Sequence, residues 1–163
     1  MLLWFIATSV LTIMFVFRDQ RFDYRTLIAG ALLPDIIDGL TGRMGVLHSL
    51  GGAVGLLMVV MFATVGRRPL RKRLLGLPIG VLLHIVFDGA FSTTQVFWWP
   101  VTGAFGDHAL PVVQRGWWNV AFELAGAAML VWSYRAFGLA DPARRAAFRT
   151  AGHLTQTIPG QAV

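Results

Sequence analysis

Residues 44–65, MGVLHSLGGAVGLLMVVMFATV, decide how the chain reads as a fold. The run holds no Asp, Glu, Lys or Arg, and an apolar stretch beyond about 18 residues reads as a membrane-crossing helix. On its C-terminal side stand Arg67, Arg68, Arg71, Lys72 and Arg73, a basic loop, and then a second apolar run over 74–91 with Pro78 in its first turn, where proline is tolerated. A further apolar run covers 117–137. On the N-terminal side, 26–40 is a weaker stretch carrying Asp35 and Asp38, short of the roughly 20 residues a full crossing needs. Residues 2–17 form one more apolar segment, closed by Arg18, Asp19 and Arg21; without a basic start or a small-residue cleavage site it reads as a retained helix.

These segments predict an all-α fold, a polytopic membrane helical bundle of about four full spans plus one short or broken intramembrane helix. Residues 1–140 form a single transmembrane domain in this reading, and 141–163 a polar, flexible cytoplasmic tail. Composition points the same way: 56% of the 163 residues are hydrophobic and 13% charged, too few polar groups to cover a water-soluble core of this size. Absence of cysteine excludes disulfides, thiolate metal sites and a cysteine nucleophile. The charge of +6 comes from residues at the ends of apolar segments, so nucleic acid is not an expected partner. With five crossings and the N-terminus outside, 12 of the 14 basic residues face the cytoplasm, leaving Arg43 and Arg115 on the other side. Two GxxxG spacings, Gly51–Gly55 and Gly76–Gly80, read as close helix packing.

A carboxylate at the centre of a membrane helix costs about 2.5–3.5 kcal/mol, so the acidic residues inside the apolar runs demand partners. Asp35 and Asp38 share a helix face at i,i+3, and His84 and Asp88 share one at i,i+4. His48 stands beside Ser49 at the start of the third segment. In the five-crossing topology these residues, with Glu123, gather near one end of the bundle. Three carboxylates and two imidazoles suit one divalent ion, Zn²⁺, Mn²⁺ or Mg²⁺, with Asp35, Asp38, His48, His84 and Asp88 as candidate ligands. Each also has a plainer reading. Asp35 follows Pro34 and can cap a helix break, Asp38 can pair with Arg43, His48 can sit neutral at an interface, and His84 can bond Asp88 locally. Glu123 reads as an outer support of the site or a partner of Asn119 or Arg115. Asp107 and His108 read as solvated loop residues.

The runs Leu32-Leu33-Pro34-Asp35-Ile36-Ile37-Asp38, Leu47-His48-Ser49, Leu82-Leu83-His84-Ile85-Val86-Phe87-Asp88 and Trp98-Trp99-Pro100 resemble, in that order, the motifs of the YdjM-like inner-membrane proteins described as membrane-bound metal-dependent hydrolases. The resemblance covers roughly residues 26–103. It implies a bacterial inner (plasma) membrane location and a metal-dependent hydrolase in which Asp35, Asp38, His84 and Asp88 carry the chemistry. Membrane lipids would surround it, and the depth of the site near the outer interface suggests an amphiphilic substrate such as a phospholipid or lipid-linked phosphate, its head group held by Arg43 or Arg115. The chain departs from the family in lacking a histidine in its first helix and in having Gly39 after Asp38 and Gly42 before Arg43, which removes three ligands and leaves a set for one ion. Two rival classes stand beside the enzyme: a proton- or ion-relay component, and a non-catalytic structural subunit.

Overall fold

The computed structural model describes residues 1–40, 42–105 and 115–154. Helix α1, Leu2–Thr12, runs on through a π-helical turn, Ile13–Phe17. Then come α2, Tyr24–Asp38; a 3-10 turn, Val46–His48; α3, Leu50–Ala63; α4, Arg68–Leu74; and α5, Gly76–Phe87. Another 3-10 turn, Ala90–Ser92, leads to the short α6, Thr94–Phe97. The long α7, Trp118–Ala136, and α8, Pro142–Ala151, complete the described helices. Asp107 and His108 lie outside the described residues.

The helical class agrees with the sequence, but the membrane bundle does not. Among the described residues no helix is long and apolar enough to cross a membrane. That overturns the transmembrane spans, the inside–outside orientation and the plasma-membrane location. The cause lies where the apolar runs are cut. In 44–65 the chain first makes a 3-10 turn, and Ser49 then takes an extended conformation and caps α3, its hydroxyl accepting from Gly52 N at 2.9 Å. Only 14 helical residues remain, a length of about 21 Å against a hydrocarbon core of about 30 Å. The run 74–91 yields a helix of 12 residues that stops at Asp88, where Gly89 turns left-handed at φ 66°. Helix α7 has 19 residues but includes Asn119, Glu123 and Arg135. The apolar excess appears instead as exposed side chains, among them Val54, Met58, Val59 and Phe62 along α3. Residues 67–73, read as a basic loop, lie largely within α4. Nor is α2 broken: it passes through the buried Pro34 as one helix.

Helices α2 and α5 form the spine, packed along most of their length. Their approach is backbone to backbone. A Cβ built on Gly80 would collide with the Leu27 carbonyl and the Ala31 amide, and one on Gly76 with Thr26 Oγ1 and Leu27 N. The Gly76–Gly80 spacing therefore serves contact within the chain. Around this spine Tyr24 and Leu27 bury against Val10, Ile13 and Met14 on one side and Phe137 and Leu154 on the other, each large side chain contributing about 1.5–3 kcal/mol. Val81 and Ile85 bury against Ala53 and Ala90. Part of the stretch expected as a polar tail is thus built into the fold: Arg25 Nη1 donates to the Arg149 and Thr150 carbonyls at the end of α8, and Tyr24 N to Gly152 O.

Candidate metal centre

Because α2 and α5 touch at Gly80, the residue one turn further on, His84, is pressed against α2. Its ring is fully buried, and its Nδ1 lies 2.7 Å from the Ala31 carbonyl. A carbonyl can only accept, so Nδ1 carries the proton and the neutral ring presents its lone pair at Nε2. His48 arrives from the 3-10 turn and is also fully buried. Its Nδ1 lies 2.6 Å from Asp38 Oδ2, and since a carboxylate likewise accepts, its Nε2 also faces inward. Asp35, one turn before Asp38 on α2, completes the group.

The three inward atoms form a small triangle. His84 Nε2 and His48 Nε2 are 3.3 Å apart, and Asp35 Oδ1 lies 3.6 Å from the former and 3.7 Å from the latter. The point equidistant from all three lies about 2.0 Å from each, or about 2.2 Å when raised into a tetrahedral position, which are metal–ligand lengths. Two lone pairs and a carboxylate aimed at one point repel unless a cation lies between them. Asp35, His48 and His84 are thus a group able to hold a metal ion.

Electrostatics describe what replaces a metal. Burial disfavours charge on His48, but Asp35 and Asp38 outweigh it and hold its pKa at about 9. His84, backed by a carbonyl rather than a carboxylate, is pushed by burial to about 4. Burial raises Asp35 too, yet the His48 hydrogen bond and both imidazoles bring it below the usual carboxylate value. A single proton on His48 therefore takes the cation's part at neutral pH. An entering metal must displace it.

The remaining candidates stand around this triangle, not at its corners. Asp38 Oδ2 is occupied by His48 Nδ1 and by the Gly45 amide, which makes it a brace behind the imidazole. Carboxylate–histidine–metal arrangements use such a brace to fix tautomer and ring direction. Asp88 follows His84 by one turn, and the charges of His48 and Asp35 act on it. Its Oδ1 accepts from Arg115 Nη1 at 2.8 Å, Arg115 Nη2 donates to the Asp88 carbonyl, and among the described residues the buried Oδ2 has no hydrogen-bond partner. Burial raises the Asp88 pKa against the pull of Arg115. Arg43 is exposed on the segment after α2. Glu123 is remote in role: its carboxylate accepts from Leu2 N and Leu3 N at 2.8 Å and from Trp4 N at 3.3 Å, capping α1. That cap holds α1 where Phe5 covers the His84 ring, with centroids 4.0 Å apart. Sequence reasoning missed Ala31, since a backbone acceptor leaves no mark in residue type. It missed Phe5 because an apolar residue in an apolar run carries no signal.

The aromatic-proline element closes the far side, the Trp99 carbonyl accepting from Gly51 N at the start of α3 at 3.2 Å. Asp35, with 19% of its side chain exposed against none for the two imidazoles, forms the solvent edge of the triangle. Compared with known proteins, the chain matches no family model, no curated protein and no solved structure.

Proposed function

We propose that the protein is a metal-dependent hydrolase of phosphate esters, with Asp35, His48 and His84 holding one Zn²⁺. The observation that carries this reading is the triangle of 3.3–3.7 Å whose two nitrogens are both freed by acceptors behind them. Two imidazoles and one carboxylate favour zinc, or manganese after it, over magnesium, which prefers an all-oxygen shell. Three protein ligands leave a position for water or substrate, the arrangement of catalytic rather than structural zinc. A divalent ion in such a site polarises a phosphoryl oxygen and makes water acidic enough to attack at neutral pH.

The chain's own groups have distinct tasks. Asp38 and the Ala31 carbonyl orient the imidazoles, Phe5 shields His84 from water, and Asp35 opens the site to solvent. Asp88 Oδ2, buried and without a partner among the described residues, would take a proton as a general base. Arg115 holds the other oxygen of that carboxylate and brings positive charge to the edge of the site, where an ester's phosphate oxygens can exchange for Asp88. The resemblance to the YdjM-like hydrolases supports the same assignment. No lipid moiety is required by this reading.

Metal analysis by mass spectrometry, paired with hydrolysis of p-nitrophenyl phosphate and its bis ester, tests the proposal. One equivalent of metal is expected in the wild type and none in His84→Ala, while Asp88→Asn keeps the metal and loses turnover. Folded wild-type protein that takes up no metal after incubation with Zn²⁺ overturns the proposal and leaves a structural hydrogen-bond network.

A further inference from the structure

At the other end of α2 a second polar cavity, about 350 Å³, opens between the segment before α2, helix α4 and the end of α8. Arg21, Arg25, Lys72 and Arg73 line it together with His153, and among the described residues Asp23 is the one carboxylate in the lining. Asp23 is saturated: its Oδ2 receives Arg25 Nη2 at 2.8 Å and lies 3.3 Å from Arg73 Nε, while its Oδ1 receives Arg25 N and Nε. Four fixed positive charges thus face one negative charge. Among the described residues, the exposed side chains of Arg21 and Lys72 make no ion pair. Asp23 and Asp35 are twelve residues apart on one helix, about 18 Å, so this cavity is separate from the metal triangle.

Like charges gathered from three parts of the chain repel one another, and only a strong geometric reason keeps them around one hollow. Here the reason is a set of hydrogen bonds to the backbone. Arg25 is pinned to the α8 carbonyls, and Arg73 sits at the end of α4, whose Arg73 carbonyl accepts from Thr26 Oγ1 at 2.7 Å. The hollow is consequently pre-formed, with an uncompensated charge of about +3. A lone phosphate would not fill its volume; a phosphate or pyrophosphate joined to a small organic group would.

We infer that this cavity is a binding site for a phosphate-bearing ligand, held by Arg21, Lys72 and Arg73 and independent of the metal centre. Isothermal titration calorimetry of the full chain with pyrophosphate tests it, beside vesicles of phosphatidylcholine with and without phosphatidate. Saturable one-to-one binding of pyrophosphate, weakened about tenfold or more in Lys72→Ala and in Arg21→Ala, supports a soluble phosphorylated ligand. Binding confined to phosphatidate vesicles and lost in the same variants supports the same site with a lipid head group as the source. Both residues are exposed, so thermal unfolding of the variants should match the wild type. Equal binding by wild type and variants, or no saturable binding to either probe, overturns the inference. His84→Ala, which empties the metal triangle, should leave pyrophosphate affinity unchanged.

Discussion

Replacing Asp38 by Asn probes the metal centre without removing a proposed ligand. The side-chain oxygen of Asn, standing where Asp38 Oδ2 stands, can still accept from both the Gly45 amide and His48 Nδ1, so the turn that carries His48 keeps its tie to α2. What changes is the charge behind the ring: without the carboxylate, His48 Nε2 is a weaker ligand. That nitrogen lies 3.3 Å from His84 Nε2 and 3.7 Å from Asp35 Oδ1, so it is one corner of the triangle that weakens. The 2.6 Å bond changes from a charge-assisted one to a neutral one, a loss of about 1–1.5 kcal/mol. At about 1.4 kcal/mol per decade this is about tenfold in affinity, the low end of the range found for partners behind metal-bound histidines. Competition for Zn²⁺ against a chromophoric chelator at fixed pH reads this directly, with a thermal melt of the metal-free protein as the control for folding. Asp38→Asn binding Zn²⁺ as tightly as the wild type would show that the Asp38 charge does not support the His48 ligand, and the reasoning for the site would fail.

Three further outcomes are expected. Adding chelator to metal-loaded wild type should lower Tm, because a ligand held only by the folded state stabilises it; His84→Ala should show no such shift, and should itself be destabilised by about 1–3 kcal/mol in chemical denaturation for leaving the Ala31 carbonyl without its side-chain donor. Gly80→Val should cost about 1–3 kcal/mol or more through overpacking against α2 and lower metal stoichiometry with it; a wild-type melt would refute the backbone contact. For Asp23, burial raises the pKa but the hydrogen bonds and charge of Arg25 outweigh it and leave it below the ordinary 3.8. A depressed carboxylate contributes stability above its unfolded value and loses it as pH falls through the folded one, so the wild type should lose stability on acidification below about pH 4 more steeply than Asp23→Asn. Parallel acid-denaturation curves would contradict this.

Much of the site was legible because helical spacing is arithmetic. Asp35 and Asp38 at i,i+3 and His84 and Asp88 at i,i+4 had to share faces, and buried charge in apolar runs had to be met by something. What the residues do within the cluster was not legible. Asp38 and Asp35 have the same side chain, and only the turn returning Gly45 and His48 over the end of α2 makes one a brace and the other a corner. Glu123 offered no hint that it caps a helix 120 residues away in sequence. The membrane reading failed for a related reason. Hydropathy counts apolar residues but not where Ser49 or Gly89 stops a helix, and 22 apolar residues became 14 helical ones. The close α2–α5 approach was visible as a glycine spacing, though which neighbour it admits depends on tertiary context.

The glycine seam between α2 and α5 makes the cage adjustable from one direction only. Asp35 and His84 ride on rods whose separation is set by main-chain atoms in contact, so the helices beneath that edge of the triangle cannot shift to relax it. His48 hangs from a three-residue turn. Exchanging zinc for a larger ion should therefore lengthen the two edges ending at His48 and leave the Asp35–His84 edge nearly constant. Any drift of ion preference over evolution would then be written in residues 45–49 before it appeared in either helix.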